Sequence, residues 1–402
     1  MNHTRTLARF AAIPLALALA ITIALGSACA ALPASMGGPP STSAPPEPTL
    51  VAGGVTTVPV PPRSPLDGPY PRYRDLQNGL VTVLGTPDLG VGRQQRVSFV
   101  LSNAEGLVSL PALQFDVYRF AEGASGPAGS SLARGIARFH AFPGDSRGLY
   151  SAAVDLLTPG TWGLGVAVPQ PDGSVATTLF AFEVAAEAKA PAVGEAAPRS
   201  RNRTLTDVAS LAELSTGSAP DRGLYERSIA TALDTRRPLI VVFASPGFCT
   251  NALCGPQVEQ LSELRRDYAG AANFVHVDIY ENPQVVRERG LDAGVRTPVL
   301  AEWGLETDEW TFVIDRAGVV AARFEGFAPR VEVEAALRAT IERSVPASPT
   351  ATPTATPTRV PALPFVTPVT PAATAPVVTA TPVGSPTPPA TVPPTASATP
   401  VR

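Results

Sequence analysis

The alternation of apolar and polar residues divides the chain into two globular stretches. Between residues 71 and 185, apolar residues recur at every second position in short runs separated by turn residues, which is typical of half-buried β-strands. Because no helical period interrupts them, these runs predict an antiparallel β-sandwich. The seven predicted strands cover 80–84, 96–101, 113–120, 135–142, 148–156, 161–168 and 175–184.

The second stretch, residues 205–343, alternates between strand and helix patterns. Residues 238–243 are apolar and rich in β-branched side chains, which predicts a buried strand. After a short loop, Val258, Leu261, Leu264 and Tyr268 lie on one face of a helix. The order β-α-β-α-β-β-α predicts a small central sheet flanked by helices. The further predicted elements are helices over 219–233 with an Asp221 cap, 282–290 and 330–341, a strand over 273–278, and a hairpin of 309–315 with 319–325.

Two cysteines, Cys249 and Cys254, lie in the loop between the predicted strand 238–243 and the helix that follows it. A helix N-terminus places partial positive charge beside a thiolate and lowers the pKa of the thiol. This loop is the one place where the sequence points to chemistry.

Residues 148–162 resemble the late strands of bacterial immunoglobulin-like domains. In those domains a Pro-Gly turn, here Pro159-Gly160, leads into a strand whose tryptophan, here Trp162, packs in the core. The resemblance implies an immunoglobulin-like β-sandwich over residues 71–185 that serves as a structural or binding module. Its single histidine, His140, is expected to be a surface or core residue rather than a ligand.

Residues 220–343 resemble the thioredoxin fold. The strand-loop-helix with its cysteines, the hairpin and the closing helix carry the resemblance. The spacing Cys249-x4-Cys254-Gly-Pro256 and the sequence around Trp303 and Trp310 are similar to exported bacterial thioredoxin-like proteins of undefined function. The resemblance implies a thiol-disulfide oxidoreductase with Cys249 and Cys254 as its redox pair. It implies no cofactor and no metal, and its partners would be protein disulfides or a redox partner.

The chain departs from the thioredoxin pattern at two positions. Gln257 stands where thioredoxins carry the second cysteine of Cys-x-x-Cys, so the candidate partner of Cys254 is the earlier Cys249. Glu309 stands where the cis-proline of that family aligns, and Pro298 lies further upstream. The element with which thioredoxins dock their substrates is therefore in question.

Three alternatives to the oxidoreductase remain open. A permanent disulfide between Cys249 and Cys254 would make the chain a non-enzymatic surface-binding protein, which is ordinary in an oxidising compartment. The spacing of the two cysteines also resembles Q-type peroxiredoxins, but Glu309 aligns with their arginine, and a carboxylate there would raise the thiol pKa. Copper handling, as in Sco-type proteins, would need a distant histidine, whereas His276 lies within a predicted strand. Which thiol attacks is also open.

The N-terminal residues 1–29 predict export. Arg5 and Arg9 precede an apolar run over 10–25, which suits the hydrophobic region of a signal peptide. The small residues before Cys29 resemble a bacterial lipobox, which implies acylation of Cys29 and anchoring to the outer face of the membrane by an N-terminal lipid. The alternative is cleavage by ordinary signal peptidase and secretion. Acylation of Cys29 would leave the other two cysteines as a pair.

Three segments of biased composition surround the globular stretches. Residues 30–70 and the Thr/Pro-rich residues 344–402 contain too few large apolar side chains to form a core, so both are predicted to be disordered. Residues 186–204, with three arginines, are predicted to be a linker that is solvated or touches anionic lipid. The net charge of −3 gives no electrostatic case for binding nucleic acid.

Overall fold

The computed structural model describes residues 57–61, 70–248 and 253–343. Cys29 and the predicted signal segment, most of the predicted tether, Cys249 and the Thr/Pro-rich tail lie outside the described residues. The described residues all belong to one compact unit, Met1–Pro346. Among the helices they form, none combines the length and the apolar character that a membrane crossing requires.

Ten strands form one large antiparallel sheet that curves almost into a barrel. The neighbour order is β1-β2-β3-β4-β8-β7-β6-β9-β10, with β5 paired to β4. The two ends approach each other, since the hydroxyl of Thr57 in β1 donates to the carbonyl of Leu179 in β10 over 2.9 Å. The strands are β1 (Thr57–Pro59), β2 (Arg72–Asp75), β3 (Val81–Leu84), β4 (Gly92–Asn103), β5 (Gly106–Leu107), β6 (Ala112–Arg119), β7 (Ala133–Ala141), β8 (Gly148–Leu156), β9 (Gly160–Pro169) and β10 (Val175–Val184).

All seven strands predicted for this stretch are present, but they do not form two separate sheets. The long strand β4 pairs with both β3 and β8, and it thereby joins the whole set by hydrogen bonds. The immunoglobulin-like sandwich is therefore not confirmed, and the stretch is one nearly closed sheet. Sandwiches and barrels both point every second residue inward, so the alternation in the sequence does not distinguish them.

The interior of this barrel-like sheet is filled by large aromatic side chains. Phe99, Tyr150 and Phe180 are fully buried, and Phe99 stacks on Tyr150 with ring centroids 5.4 Å apart. Trp162 is also buried, and its indole nitrogen donates to the carbonyl of Thr158 over 2.8 Å. The prediction that Trp162 packs in the core is confirmed.

The second sheet has four strands in the order β12-β11-β13-β14. Strand β12 is parallel to β11, whereas β13 is antiparallel to β11 and β14 is antiparallel to β13. This smaller mixed sheet with its helices agrees with the small central sheet flanked by helices that the sequence predicts. Its elements are α1 (Ile229–Asp234), β11 (Leu239–Phe243), α2 (Cys254–Asp267), β12 (Asn273–Val277), α3 (Pro283–Arg289), α4 (Val299–Glu302), β13 (Trp310–Ile314), β14 (Val320–Glu325) and α5 (Arg330–Arg343).

Strand β11 is buried on both faces, which explains its continuous apolar run. Leu239, Val241 and Phe243 point into a cluster that includes residues of α1 and α4. Ile240 and Val242 point the other way, into a cluster that includes residues of α2 and α5. The cysteine loop therefore follows the best-packed strand of the sheet.

The helix predicted over 219–233 is broken into two pieces. Asp221 does cap a turn, but it is a 3-10 turn, Arg222–Leu224, in which the Asp221 side chain accepts from the amide of Gly223. Helix α1 begins later, where the hydroxyl of Ser228 accepts from the amide of Thr231. Ser228 is a second cap, after Asp221, and it lies inside the apolar pattern. It stops the first turn from continuing, because such side chains compete for backbone donors.

Parts of the predicted disordered tether and of the predicted linker pair with the sheets. Strand β1 lies inside residues 30–70, where its backbone pairs with β2. Residues 186–204 follow the edge strand β14, and the amide of Gly194 donates to the carbonyl of Val320 while Ala197 donates to Gly318. Composition did not reveal either contact, because both rest on backbone groups that edge strands leave unpaired.

Candidate functional site

Cys254 is the first residue of α2, at the end of the loop that follows β11. Its side chain is fully buried among apolar residues that include Val242, Ala244 and Leu261. Cys254 takes part in a disulfide, and the other two cysteines of the chain lie outside the described residues. A sulfur buried in this way cannot be the atom that first meets a macromolecular substrate.

Gln257 occupies the position of the missing Cys-x-x-Cys cysteine and has a structural contact of its own. Its side chain is buried, and its carbonyl oxygen accepts from the backbone amide of Ala328 over 2.9 Å. This bond ties the first turn of α2 to the loop that precedes α5. The departure at this position therefore replaces a thiol with a fixed amide.

Glu309, the residue aligned with the cis-proline, directly precedes β13 and is fully buried. Pro298 lies further away along the chain, at the start of α4. No peptide bond within the described ranges is cis.

A polar cluster holds the turn that begins the cysteine loop, and it consists of the buried side chains of Thr216, Ser245 and Asp278 with the backbone amide of Gly247. The Asp278 carboxylate accepts from the amide of Thr216 over 2.6 Å and from its hydroxyl over 2.8 Å. The Thr216 hydroxyl also lies 2.9 Å from the Ser245 hydroxyl and accepts from the amide of Gly247 over 3.1 Å. Four groups from three parts of the chain thus fix residues 245–247.

Burial controls the ionisation of Asp278. Removal from water raises the pKa of this carboxyl to about 6, although hydrogen bonds from Thr216 and Tyr280 act in the opposite direction. The group therefore titrates close to neutral pH, at the base of the loop that carries the cysteines.

Gly247 is required at its position in the turn. A Cβ atom there would lie 2.4 Å from the carbonyl oxygen of Thr216, which is closer than atoms approach. The backbone of residues 215–217 and the turn can pack together only because this side chain is absent.

His276 is a packed residue and is not available as a metal ligand. Its Nδ1 accepts from the Tyr225 hydroxyl over 2.6 Å, and its Nε2 donates to the Ala244 carbonyl over 3.0 Å. Burial lowers the pKa of this imidazole to about 4, so the ring is neutral. The part of the chain that the structure describes contains no group of three or more metal-ligating side chains.

The barrel-like sheet packs against the second sheet through Glu332, at the start of α5. Arg96 of β4 donates to Glu332 over 2.7 Å, and Nε2 of His140 in β7 lies 3.0 Å from it. Burial disfavours the charge, but the hydrogen bond from His140 and the charge of Arg96 outweigh it and lower the pKa of Glu332 to about 2. His140 therefore belongs to a contact between the two sheets.

Sequence reasoning located Cys254 but missed the polar cluster beneath the loop. Asp278 carried a weak signal, because a carboxylate directly after a buried parallel strand faces the same sheet edge as the loop. Thr216 carried none, since it comes from an irregular segment whose position only the folded chain determines.

No protein-family model matches the chain, and no curated protein matches it. Among solved structures, it is similar to a thiol:disulfide interchange protein of the thioredoxin family from Chlorobium tepidum TLS, with 20% identity over 29% of this chain and 86% of that chain, and a TM-score of 0.22. It is also similar to the PmoD soluble domain from Methylocystis sp. ATCC 49242 (Rockwell), with 14% identity over 27% of this chain and 92% of that chain, and a TM-score of 0.18. Similarities this small carry no information about fold or activity.

Proposed function

We propose that the protein is an extracytoplasmic thiol-disulfide oxidoreductase with Cys249 and Cys254 as its redox pair. The observation that supports this proposal most is the position of Cys254, which starts a 14-residue helix directly after the loop that follows the central strand. The helix N-terminus favours a thiolate. The polar cluster beneath the loop holds the backbone in place while bonds between sulfur atoms change.

The burial of Cys254 assigns the two roles within this proposal. Cys254 is the resolving thiol because its sulfur is fully buried, and Cys249 is the attacking thiol. The Cys249 thiolate attacks one sulfur of a substrate disulfide and forms a mixed disulfide, and the other substrate sulfur leaves as a thiolate. The Cys254 thiolate then attacks Cys249, which releases the second substrate thiolate and leaves a Cys249–Cys254 disulfide. Two electrons pass to the substrate, and an external dithiol partner must return them.

A second candidate function is that of a binding protein in which the disulfide is a permanent staple. The complete burial of Cys254 favours it, because buried structural disulfides resist exchange with thiols in solution. In this case the disulfide only closes the loop, and both sheets serve binding.

The reduction potential of the pair distinguishes these two functions. We expect the disulfide to titrate reversibly in thiol buffers at a potential above about −300 mV, the level below which structural disulfides typically lie. Cys249→Ser and Cys254→Ser should each abolish reduction of insulin disulfides, whereas Cys29→Ser should leave it unchanged. A disulfide that resists dithiothreitol in the native protein would establish the staple instead.

The peroxidase and copper alternatives have less support. Glu309 is a buried carboxyl rather than the arginine of the peroxidase resemblance, and both ring nitrogens of His276 are occupied by hydrogen bonds. Neither residue supplies what these chemistries require.

The proposed function places the protein outside the cytoplasm, and we propose that an N-terminal lipid holds it there. Acylation of Cys29 would anchor the chain to the outer face of the membrane, with the residues that precede β1 between the lipid and the first sheet. Mass spectrometry of the mature N-terminus tests this directly, since a diacylglyceryl-modified Cys29 and an unmodified N-terminal residue differ by several hundred daltons. The protein partners would then be substrates or redox partners in the same compartment, with no part for nucleic acid.

A further inference from the structure

A groove runs along the N-terminal half of α2, at the junction of the two sheets. It encloses about 420 Å³, within the range of about 300–1,000 Å³ that is usual for ligand sites. Its walls combine apolar side chains, among them Pro256, Phe327 and Pro329, with the carboxylates of Glu259 and Glu263.

Gln260 lines this groove and has an unusual environment. Its side chain is only 7% exposed, yet neither its amide nitrogen nor its amide oxygen has a hydrogen-bond partner among the described residues. A buried polar group without partners destabilises a fold. The described residues offer this amide no partner, and both of its polar atoms are shielded from water, so a partner from outside must displace part of the groove wall to reach it.

We propose that the groove binds an extended segment of the polypeptide whose disulfide the protein exchanges. The side chain of Gln260 carries one donor group and one acceptor, which match the carbonyl and the N–H of a peptide unit. The apolar walls would take the side chains that flank this unit. The identity of the bound polypeptide as the redox substrate rests on the proposed function.

The position of the groove agrees with this ligand. Gln260 is six residues beyond Cys254 on one helix, which corresponds to about 9 Å at the helical rise of 1.5 Å per residue. An extended chain covers that distance in about three residues. A bound segment would therefore bring its own cysteine to the cysteine loop.

The barrel-like sheet supplies the opposite wall of the groove. His140, Ala141 and Pro143, at the end of β7, line it, and the contact of His140 with Glu332 holds this wall against α5. Glu263 is paired with Arg330, whereas Glu259 has no ion-pair partner in the described part of the chain. A segment with a basic residue opposite Glu259 would fit best.

Binding of an unfolded protein without thiols tests the groove separately from the redox chemistry. The probe is reduced, carboxamidomethylated α-lactalbumin, and affinity for the full chain is measured by isothermal titration calorimetry. Gln260→Leu and Val331→Asp should each weaken binding at least fivefold. Val331 lines the groove and is 63% exposed, so this change leaves the core intact.

Two matched variants away from the groove serve as controls. Gln284→Leu removes another amide whose buried oxygen lacks a partner in the described ranges, and Val295→Asp changes a valine that is 58% exposed. Both should bind the probe within twofold of the unmodified chain. The melting temperature of Gln260→Leu should not fall, because the change removes an unsatisfied polar group rather than a contact.

Three results would overturn the inference: no binding by the unmodified chain, undiminished binding by both groove variants, or equal binding of native α-lactalbumin. The proposed function can fail separately. If the probe binds as expected but the chain does not reduce insulin disulfides, the groove is a polypeptide site without redox chemistry. If both hold, Gln260→Leu should slow insulin reduction while its reaction with oxidised glutathione stays unchanged.

Discussion

Asp278 shows how a single buried carboxyl can be central to a site without touching a substrate. It accepts two hydrogen bonds from Thr216, and through the Thr216 hydroxyl it reaches Ser245 and Gly247. Because its pKa is raised to about 6, the cluster carries a charge above this pH and loses it below. The protonation of the polar cluster beneath the cysteine loop therefore changes close to neutral pH.

The stability of the protein should record this titration. The folded-state pKa of Asp278 lies above its ordinary value of 3.8, so the neutral carboxyl stabilises the fold below pH 4, and this contribution is lost as the pH rises through about 6. We expect Asp278→Asn to remove up to about 3 kcal/mol of pH dependence across this window. Urea unfolding of Asp278→Asn and of the unmodified chain between pH 4 and 7 measures this difference in pH dependence.

The control for this experiment is Glu325→Gln, which removes another buried carboxyl whose pKa is raised, here to about 7. Glu325→Gln should change how stability depends on pH up to about pH 7. The pH dependence that Asp278 contributes up to about pH 6 should remain. Parallel stability curves for Asp278→Asn and the unmodified chain would contradict the assignment.

At the scale of elements, the start of α2 and the turn at residues 245–247 are each held by a contact with a distant part of the chain. Gln257 ties the helix to the loop before α5, and the turn at Gly247 packs against the backbone of Thr216. Rigid support on both sides of the cysteines is what a thiol pair needs if its geometry is to be set in advance.

A methyl group at Gly247 should displace this turn. Gly247→Ala places a Cβ atom 2.4 Å from the Thr216 carbonyl oxygen, and we expect a loss of about 1–3 kcal/mol in the free energy of unfolding. If the proposed function is correct, the reduction potential of the disulfide should shift as well. Gly129→Ala is the matched control, since nothing lies within 4 Å of a Cβ atom there. Equal stability of the two variants would show that the turn tolerates displacement.

At the scale of the whole molecule, the two sheets are joined by charged contacts around α5 and β14. Glu332 binds Arg96 and His140, and Arg323 of β14 binds Asp88 over 2.7 Å. These ion pairs fix how the two sheets pack against each other, and His140 among them also lines the groove beside α2.

Acid should weaken this joint through Glu332. Its folded-state pKa is lowered from 4.5 to about 2, so the stabilisation is present above pH 4.5 and is lost as the pH falls towards 2. Glu332→Gln should remove up to about 3 kcal/mol of stability at neutral pH and flatten the acid limb of the curve. Glu342→Gln, at an exposed position of the same helix, should cost less than about 0.5 kcal/mol. Thermal unfolding of both variants between pH 2 and 7 measures these differences in stability. Equal losses of stability in the two variants would contradict the role of Glu332.

Local patterns in the sequence predicted most of the secondary structure. Strand β10 and the hairpin of β13 and β14 lie where alternation and turn residues placed them, because side-chain period and turn chemistry are local properties. The helix over 219–233 failed for a reason that was also local but ambiguous, since Asp221 and Ser228 both provide caps.

The sequence by itself determined most of the strands and helices, and that a cysteine follows the central strand, because both depend on neighbours along the chain. Only the tertiary structure decided that ten strands join in one nearly closed sheet and that Cys254 is buried. It also brought Thr216 beneath the loop and left the Gln260 amide without a hydrogen-bond partner among the described residues. These features depend on residues far apart in sequence, which come together through edge pairing and core packing that no local pattern records.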